Sequence, residues 1–476
     1  MNRRRAARVL DAADSERSTR IYYYWLLLSL FLEYARPASY FAFLRVPFLY
    51  SAIPLSLFVA CCFARGLRPM REIFADPLAK WIPIFIGLIG FSFFIADVSL
   101  YVFNIFKLVV GYGILFIMIA RIVTTEERFR GVIVALLLAH LFLLAMNPNV
   151  VLNPNERNYI IGATFLGDGN DFSMSLCILI PGAVAVALGA TTRWARWFAW
   201  MGMAIGLLAV IASQSRGAAI GLGSVLVYLW LISPRKMAVL GGVFAVGLVV
   251  LIYAPPVYFE RLGTITNYQS EGSAMGRITA WKAGTRMALD HPLTGVGAGH
   301  YAVSFGTKYR PPEAEGMPWL TAHSSYFLTL GELGLPGIIT FMILAWGNIR
   351  ANGKMRRFVR THDGPNVDPE KLAFAKRALV LSSGAALGFA TAGAFLSAAY
   401  YPHVFVLTGL LIAIRNMVAK SFGVTVMEAL GRNVNARRPR RGMAGATAPN
   451  ATAAQPSGSE SNEALPTPPL RRRPQA

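Results

Sequence analysis

A few polar side chains in long apolar surroundings carry whatever chemistry this chain can do. Arg216 lies in Ser213-Gln214-Ser215-Arg216-Gly217-Ala218, among small residues where an apolar block begins. A guanidinium at a helix start forks onto phosphate oxygens, and the free N–H groups of the helix end add to the anion site. An arginine in this place serves equally by snorkelling to a membrane interface. Arg277 lies in Gly276-Arg277-Ile278-Thr279-Ala280-Trp281-Lys282, upstream of Asp290-His291-Pro292-Leu293-Thr294-Gly295-Val296-Gly297. Ile278, Trp281 and Thr285 share a helical face, which predicts a short amphipathic helix at a membrane surface. Pro292 stops it, and Gly295, Gly297 and Gly299 supply a flexible turn. Arg277, Lys282 and Arg286 make the helix cationic, either to meet an anion or as a solvated basic face. His323 opens an apolar block in Ala322-His323-Ser324-Ser325-Tyr326-Phe327. A neutral imidazole at a helix mouth can take a proton from a hydroxyl, and the positive helix end keeps it unprotonated. It serves equally as a cap or an interfacial packing residue. Glu332 lies about two and a half turns deeper on the same helix. A carboxylate at that depth is expected to anchor a neighbouring helix rather than to do chemistry.

The other polar candidates are weaker. His140 and His403 fall in or at apolar spans, His362 in an inner loop, and His291 and His300 among turn residues. Their spacing suggests no zinc site. Cys61, Cys62 and Cys177 lie in apolar blocks and read as small buried residues, not as a disulfide framework or metal site. Asp168-Gly169-Asn170-Asp171 is explained by a turn and a helix cap. No nucleotide fingerprint, nucleophile elbow, metal site or cofactor site is expected.

The elements that position these residues are membrane helices. Of 476 residues, 55% are hydrophobic and only 15% charged, too few charges to cover a soluble surface of this size. The apolar residues come in blocks of the length that crosses hydrocarbon as a helix. The net charge of +22 is scattered over short loops and both tails, as an orientation signal would be, and forms no stripe for nucleic acid. The first apolar block, from Ile21, has no small-residue cleavage site and reads as a retained span. Further spans are expected near 48–63, 81–96, 104–120, a block ending at Met146, 172–190, a block ending at Ser213, 217–233, a block ending at Tyr253, 323–346, 378–399 and 403–418.

The pattern predicts an all-α polytopic membrane protein of about twelve transmembrane helices. Residues 1–20 form a cytoplasmic tail, 21–253 carry helices one to nine, and 254–322 form a periplasmic loop. Residues 323–420 carry the last three helices, and 421–476 form a cytoplasmic, largely disordered basic and Pro-rich tail. Arg3, Arg4, Arg5, Arg8 and the Lys/Arg bias of alternate loops put both termini in the cytoplasm. The segments of Arg216, Arg277 and His323 then share the outer face.

On these segments the chain resembles the O-antigen ligase and polymerase family of bacterial envelopes. Ser215-Arg216-Gly217-Ala218 is similar to that family's Ser-Arg-Gly motif. Gly276-Arg277 with Trp281 and the later Pro292 and Gly295-Val296-Gly297 resembles its external loop. His323 with Glu332, Gly334 and Gly337 resembles the helix that follows, and Asp168-Gly169-Asn170-Asp171 before Ile180-Pro181 resembles a recurrent segment. The likeness in order and topology covers about Leu166 to Ile343; the earlier spans match only as apolar helices. It implies a lipid-dependent membrane glycosyltransferase of GT-C-like type in the bacterial inner membrane, its active site facing the periplasm. It implies an undecaprenyl-diphosphate-linked glycan donor and a glycan, lipid or protein acceptor. Arg216 and Arg277 would hold the diphosphate and His323 would activate the acceptor hydroxyl, with Glu332, Trp281 and Arg286 in support. Such a leaving group calls for cations and one base, and for neither nucleotide nor metal. Partners are then lipid-linked glycan and membrane lipids, and no nucleic acid; the oligomeric state is open. Two other readings stand beside it. A transporter or flippase would show ionisable residues near the bilayer midplane and an internal repeat. A scaffold would do without His323 and both arginines.

Overall fold

A computed structural model describes residues 3–46, 48–156, 159–233, 235–263, 272–362 and 367–431, and every regular element among them is helical. Helix α1 (Arg3–Ala35) leads to α2 (Leu49–Phe63), the short α3 (Met70–Phe74), α4 (Trp81–Phe91), α5 (Ser99–Ile122) and α6 (Glu126–Met146). A single turn, α7 (Asn149–Leu152), precedes α8 (Gly169–Gly189), α9 (Arg193–Ala212), α10 (Arg216–Ile232) and α11 (Lys236–Tyr253). The long stretch between α11 and the next long helix holds α12 (Pro256–Gly263), α13 (Gly272–Asp290) and α14 (Tyr301–Ser304). Then follow α15 (Ser325–Thr361), α16 (Pro369–Ala392), α17 (Pro402–Ser421) and the one-turn α18 (Val426–Ala429).

Eight of these helices, α5, α6, α8, α9, α11, α15, α16 and α17, are long and apolar enough to cross a membrane; α2, α4 and α10 are apolar but shorter. With the apolar half of α1 they stand where the sequence predicts its twelve spans. Helix α11 buries none of its apolar window, and Leu240, Phe244, Leu248 and Leu251 all face outward. A helix apolar all round has lipid as its natural surroundings.

Some boundaries differ from expectation. Helix α1 runs unbroken from Arg3, so the expected N-terminal tail continues the first span as helix. Helix α15 continues to Thr361 and carries Arg350, Lys354, Arg356, Arg357 and Arg360, which were expected in a loop. None of these residues breaks a helix, so the backbone carries on where the hydropathy ends. Cys61 and Cys177 are buried as expected, whereas Cys62 is exposed on the outer surface of α2. The expected disordered tail, from Arg432 onward, lies outside the described residues.

Small side chains set the packing. Helix α16 offers Ala378, Ser382, Gly384, Ala385, Gly388 and Ala392 to its neighbours and packs on α8, α10, α15 and α17. A Cβ on Gly388 would stand 3.1 Å from the Cys177 carbonyl oxygen of α8, and one on Gly221 3.0 Å from Ala392. In lipid, close backbone approach of this kind is what holds helices together. Far from the outer end, Arg415 of α17 is fully buried and donates to Asp76 at 2.6 Å, to Asn352 at 3.0 Å and to Asn348 at 3.0 Å. This network ties α17 and α15 to the turn before α4.

Candidate active site

Two segments singled out by sequence are built alike. Gln214 and His323 are non-glycine residues in the left-handed region, at φ 52° and 47°. Each is followed by a serine that caps a helix: Ser215 accepts from the Ala218 N–H, and Ser324 from the Phe327 N–H. Arg216 is therefore the first residue of α10, whereas His323 stands just outside α15, with Ser324 as the cap in its place. A left-handed histidine stores backbone strain that its surroundings must offset, a feature that clusters at functional sites.

The turn between α16 and α17 joins the two helix mouths. Gly217 packs on Phe395, where an added Cβ would stand 3.1 Å from the ring's Cβ. Ser325 donates to the Leu396 carbonyl at 2.7 Å and accepts from the Ala398 N–H at 3.1 Å. The Thr321 and Ser397 hydroxyls meet at 3.0 Å. Arg216 and His323 thus flank one turn at one end of the bundle. On the same side, Tyr401 donates to Asp171 at 3.2 Å.

The segment 292–301 is a fixed insert rather than the flexible turn expected. Helix α15 breaks at Gly334, φ 65° and ψ −158°, and Pro336 has no N–H to give back to Glu332. The loop makes good the lost turn. Val296 donates to the Gly331 carbonyl at 3.0 Å, Gly297 to the Glu332 carbonyl at 2.9 Å, and Leu335 donates to the Pro292 carbonyl at 2.7 Å. Inside lipid a broken helix survives only when neighbours satisfy its freed backbone in this way. Gly295, at φ 63°, presses on the Glu332 carbonyl group where a Cβ has no room. The buried Glu332 carboxylate accepts from the N–H groups of Gly299 and Tyr301, both at 2.8 Å, and from the Tyr400 hydroxyl at 2.7 Å. Glu332 is an anchor, as expected, but it anchors a loop rather than a neighbouring helix. His300 extends the clamp: its Nε2 accepts from the Val98 N–H at 3.1 Å, so its Nδ1 faces the Ala298 carbonyl as the donor.

Helix α13 also departs from expectation. Its buried face is Ala280, Ala283, Gly284, Met287 and Ala288, and it packs along α15. The smallest side chains give the closest approach, so they, and not Ile278 and Thr285, make the contact. Thr285 is exposed. Trp281 donates its indole N–H to the Ala322 carbonyl at 2.9 Å and stacks on Phe327, with ring centroids 5.2 Å apart and planes 9° apart. Arg277 lies one turn before Trp281 on the same side. Arg286 is exposed, and its position nine residues on turns it to the opposite side of the helix, about 13 Å along the axis. The structure does not bring it to the site.

His323 is half-buried. Burial first, and then the Arg277 guanidinium, hold its imidazole below the usual histidine value, while Asp168 pulls part of the way back. Arg277 and Asp168 are thus both within electrostatic reach of the histidine. Asp168 caps α8 as the sequence suggests, accepting from the Asn170 N–H at 2.7 Å. Its second role, beside His323, was missed. So was the turn at 393–401, which carries no sequence signal beyond small residues and tyrosines.

The family model described as O-antigen ligase matches residues 201–342. Over this stretch the chain is similar to the O-antigen ligase family. The matched stretch contains Arg216, Arg277, Trp281, Arg286, His323 and Glu332, together with the whole clamp between the external loop and the α15 break. No curated protein matches the chain. The apolar helices are those of a multi-pass membrane protein, and the matched stretch is similar to O-antigen ligase domains. His140 lies apart from these residues, outside the matched stretch. It is held inside the bundle by the Leu136 carbonyl at 2.8 Å and the Ser175 hydroxyl at 2.7 Å.

Proposed function

We propose that this enzyme transfers a glycan from undecaprenyl diphosphate to an acceptor hydroxyl at the periplasmic face of the inner membrane. The observation that carries the reading is the charge of Arg277 acting on a half-buried, left-handed His323. A base held neutral beside a cation suits a reaction in which a proton leaves one substrate while negative charge builds on the other. His323 takes the proton of the acceptor hydroxyl as its oxygen bonds to the anomeric carbon. The bond from that carbon to the diphosphate oxygen breaks, and Arg277 and Arg216 balance the charge that develops there. The proton on His323 then passes to solvent or to the departing diphosphate. Trp281 holds the bend that positions His323, and Glu332 acts through the external loop rather than on substrate.

The test is deletion of the gene, with envelope glycans resolved on a gel, followed by complementation. Loss of long chains with single repeats retained identifies a polymerase. Long chains stranded on carrier lipid identify a ligase. An unchanged glycan profile would overturn the proposal.

A further inference from the structure

The end of the bundle away from His323 contains a second polar site. Helix α17 begins beside Tyr401, the partner of Asp171, and reaches Lys420 about 30 Å away by helical rise. There a cavity of about 760 Å³ opens between the α2–α3 loop, the α5–α6 turn and the end of α17. Arg68, Arg128, Lys420, Thr124 and Thr125 line it, with Glu72 as the one carboxylate among its described lining.

Arg68 is the telling residue. It is 8% exposed, and Arg128 across the cavity is 5% exposed. One Arg68 N–H donates to the Ala120 carbonyl, and among the described residues no carboxylate lies within ion-pair distance. Glu72 acts on it only from farther off. Burial pushes the guanidinium down to about 10, so it stays charged at neutral pH. A buried cation is costly unless an anion compensates it. Elsewhere in this protein that rule is kept, since the fully buried Arg415 has Asp76. At Arg68 no compensating carboxylate stands that close among the described residues, and the space beside it is large and lined with hydroxyls and further cations.

We infer that this cavity is a binding site for a phosphoryl anion, the headgroup of an anionic phospholipid or a soluble phosphate monoester. A guanidinium fork suits phosphate oxygens, threonine hydroxyls add hydrogen bonds, and Lys420 at the rim adds a point charge. Basic pockets between helices at a membrane interface take lipid headgroups by this chemistry.

The test is native mass spectrometry of the full-length, detergent-purified protein titrated with phosphatidylglycerol or phosphatidylcholine. The wild type retains phosphatidylglycerol at least about tenfold more tightly than phosphatidylcholine, and Arg68→Gln and Lys420→Gln each weaken it by roughly tenfold. Lys420 is exposed, so Lys420→Gln leaves packing intact and carries the test even where Arg68→Gln fails to fold. Glycerol 1-phosphate added to the loaded protein separates the sources. Displacement of the lipid identifies a site satisfied by soluble phosphate, and retention identifies one that needs the whole lipid. Equal retention of the two lipids by the wild type, or full phosphatidylglycerol affinity in Lys420→Gln, overturns the inference.

Discussion

Trp281 reaches from α13 to the carbonyl of Ala322, 2.9 Å away and one residue before His323. The bend that carries the histidine is therefore held by the helix that carries Arg277. Trp281→Phe keeps the stack on Phe327 and removes one hydrogen bond, which costs about 1 kcal/mol of stability. Glycan transfer falls further, by about tenfold or more, because small misplacements of a reacting group are amplified in rate. Thermal unfolding and transfer rate measured on one preparation check this. A rate that tracks the wild type would show that the bend holds without the indole.

His323→Ala lowers transfer by roughly 10²–10⁴-fold with expression and insertion unchanged, the range for loss of a general base. Arg216→Lys rescues little, since an ammonium lacks the planar fork that grips two phosphate oxygens. Glycan gels on the complemented deletion strain, normalised to protein in the membrane, give the comparison. Full complementation by His323→Ala would move the base elsewhere.

The pH profile reports the neighbours of His323. Transfer needs the neutral imidazole, so the rate falls as pH drops through its pKa. Burial and Arg277 depress that pKa, so the acid limb lies below the ordinary value of about 6.5. Arg277→Gln removes a cation, raises the pKa and moves the limb to higher pH in whatever activity remains. Asp168→Asn removes an anion and moves it to lower pH, while asparagine still caps α8. Profiles of kcat/KM against pH decide it, and limbs that stay in place in both variants would remove His323 as the titrating group.

The sequence made the helices legible because lipid imposes length and apolarity on each span, and the Lys/Arg bias supplied their order. Arg216 and His323 stand out in the sequence because polar residues at the mouths of apolar helices are conspicuous; Arg277, inside α13, was singled out by its neighbours Gly276 and Trp281. The clamp on α15 was only half legible. Gly334 and Pro336 announce a break, but which strand of loop supplies the missing hydrogen bonds depends on contacts some thirty-five residues apart, between Val296 or Gly297 and Gly331 or Glu332. For α13 the period was right and the face only partly so: Trp281 does reach α15, stacking on Phe327, but the close contact is made by Ala280, Ala283 and Gly284 rather than by Thr285, which is exposed. Asp168 was read as a cap and is one, and nothing in its local spacing shows that the fold brings it near His323.

Glu332→Gln tests the clamp. An amide oxygen can serve one of the two backbone donors, Gly299 or Tyr301, and its NH₂ faces the other. Loss of that buried bond destabilises the protein by about 1–3 kcal/mol, seen as a lower unfolding midpoint. Gly295→Ala is worse, because its φ of 63° and the adjoining Glu332 carbonyl leave no room. A thermally unaltered Glu332→Gln protein would show that the loop is held by its backbone bonds alone.

The side of the membrane is tested by cysteine labelling in a Cys-free background. Leu293 is 71% exposed in the external segment, and Lys420 is exposed at the opposite end. An impermeant maleimide modifies Leu293→Cys in cells with an intact inner membrane and Lys420→Cys only after permeabilisation. The reverse pattern would invert the topology and remove a periplasmic reaction.

The bond between Asp76 and Arg415 spans 339 positions of the chain. Spans enter a membrane in order of synthesis, so Asp76 is committed near the start and waits for the last long helix to bring its counterion. Until α17 arrives, the half-built bundle carries a carboxylate held by the Leu78 N–H and lacking its counterion, and Asn348 and Asn352 of α15 have no guanidinium to receive. The arrival of α17 is thereby registered as charge neutralisation. A nascent protein that stalls before residue 415 holds Asp76 without the cation that neutralises it.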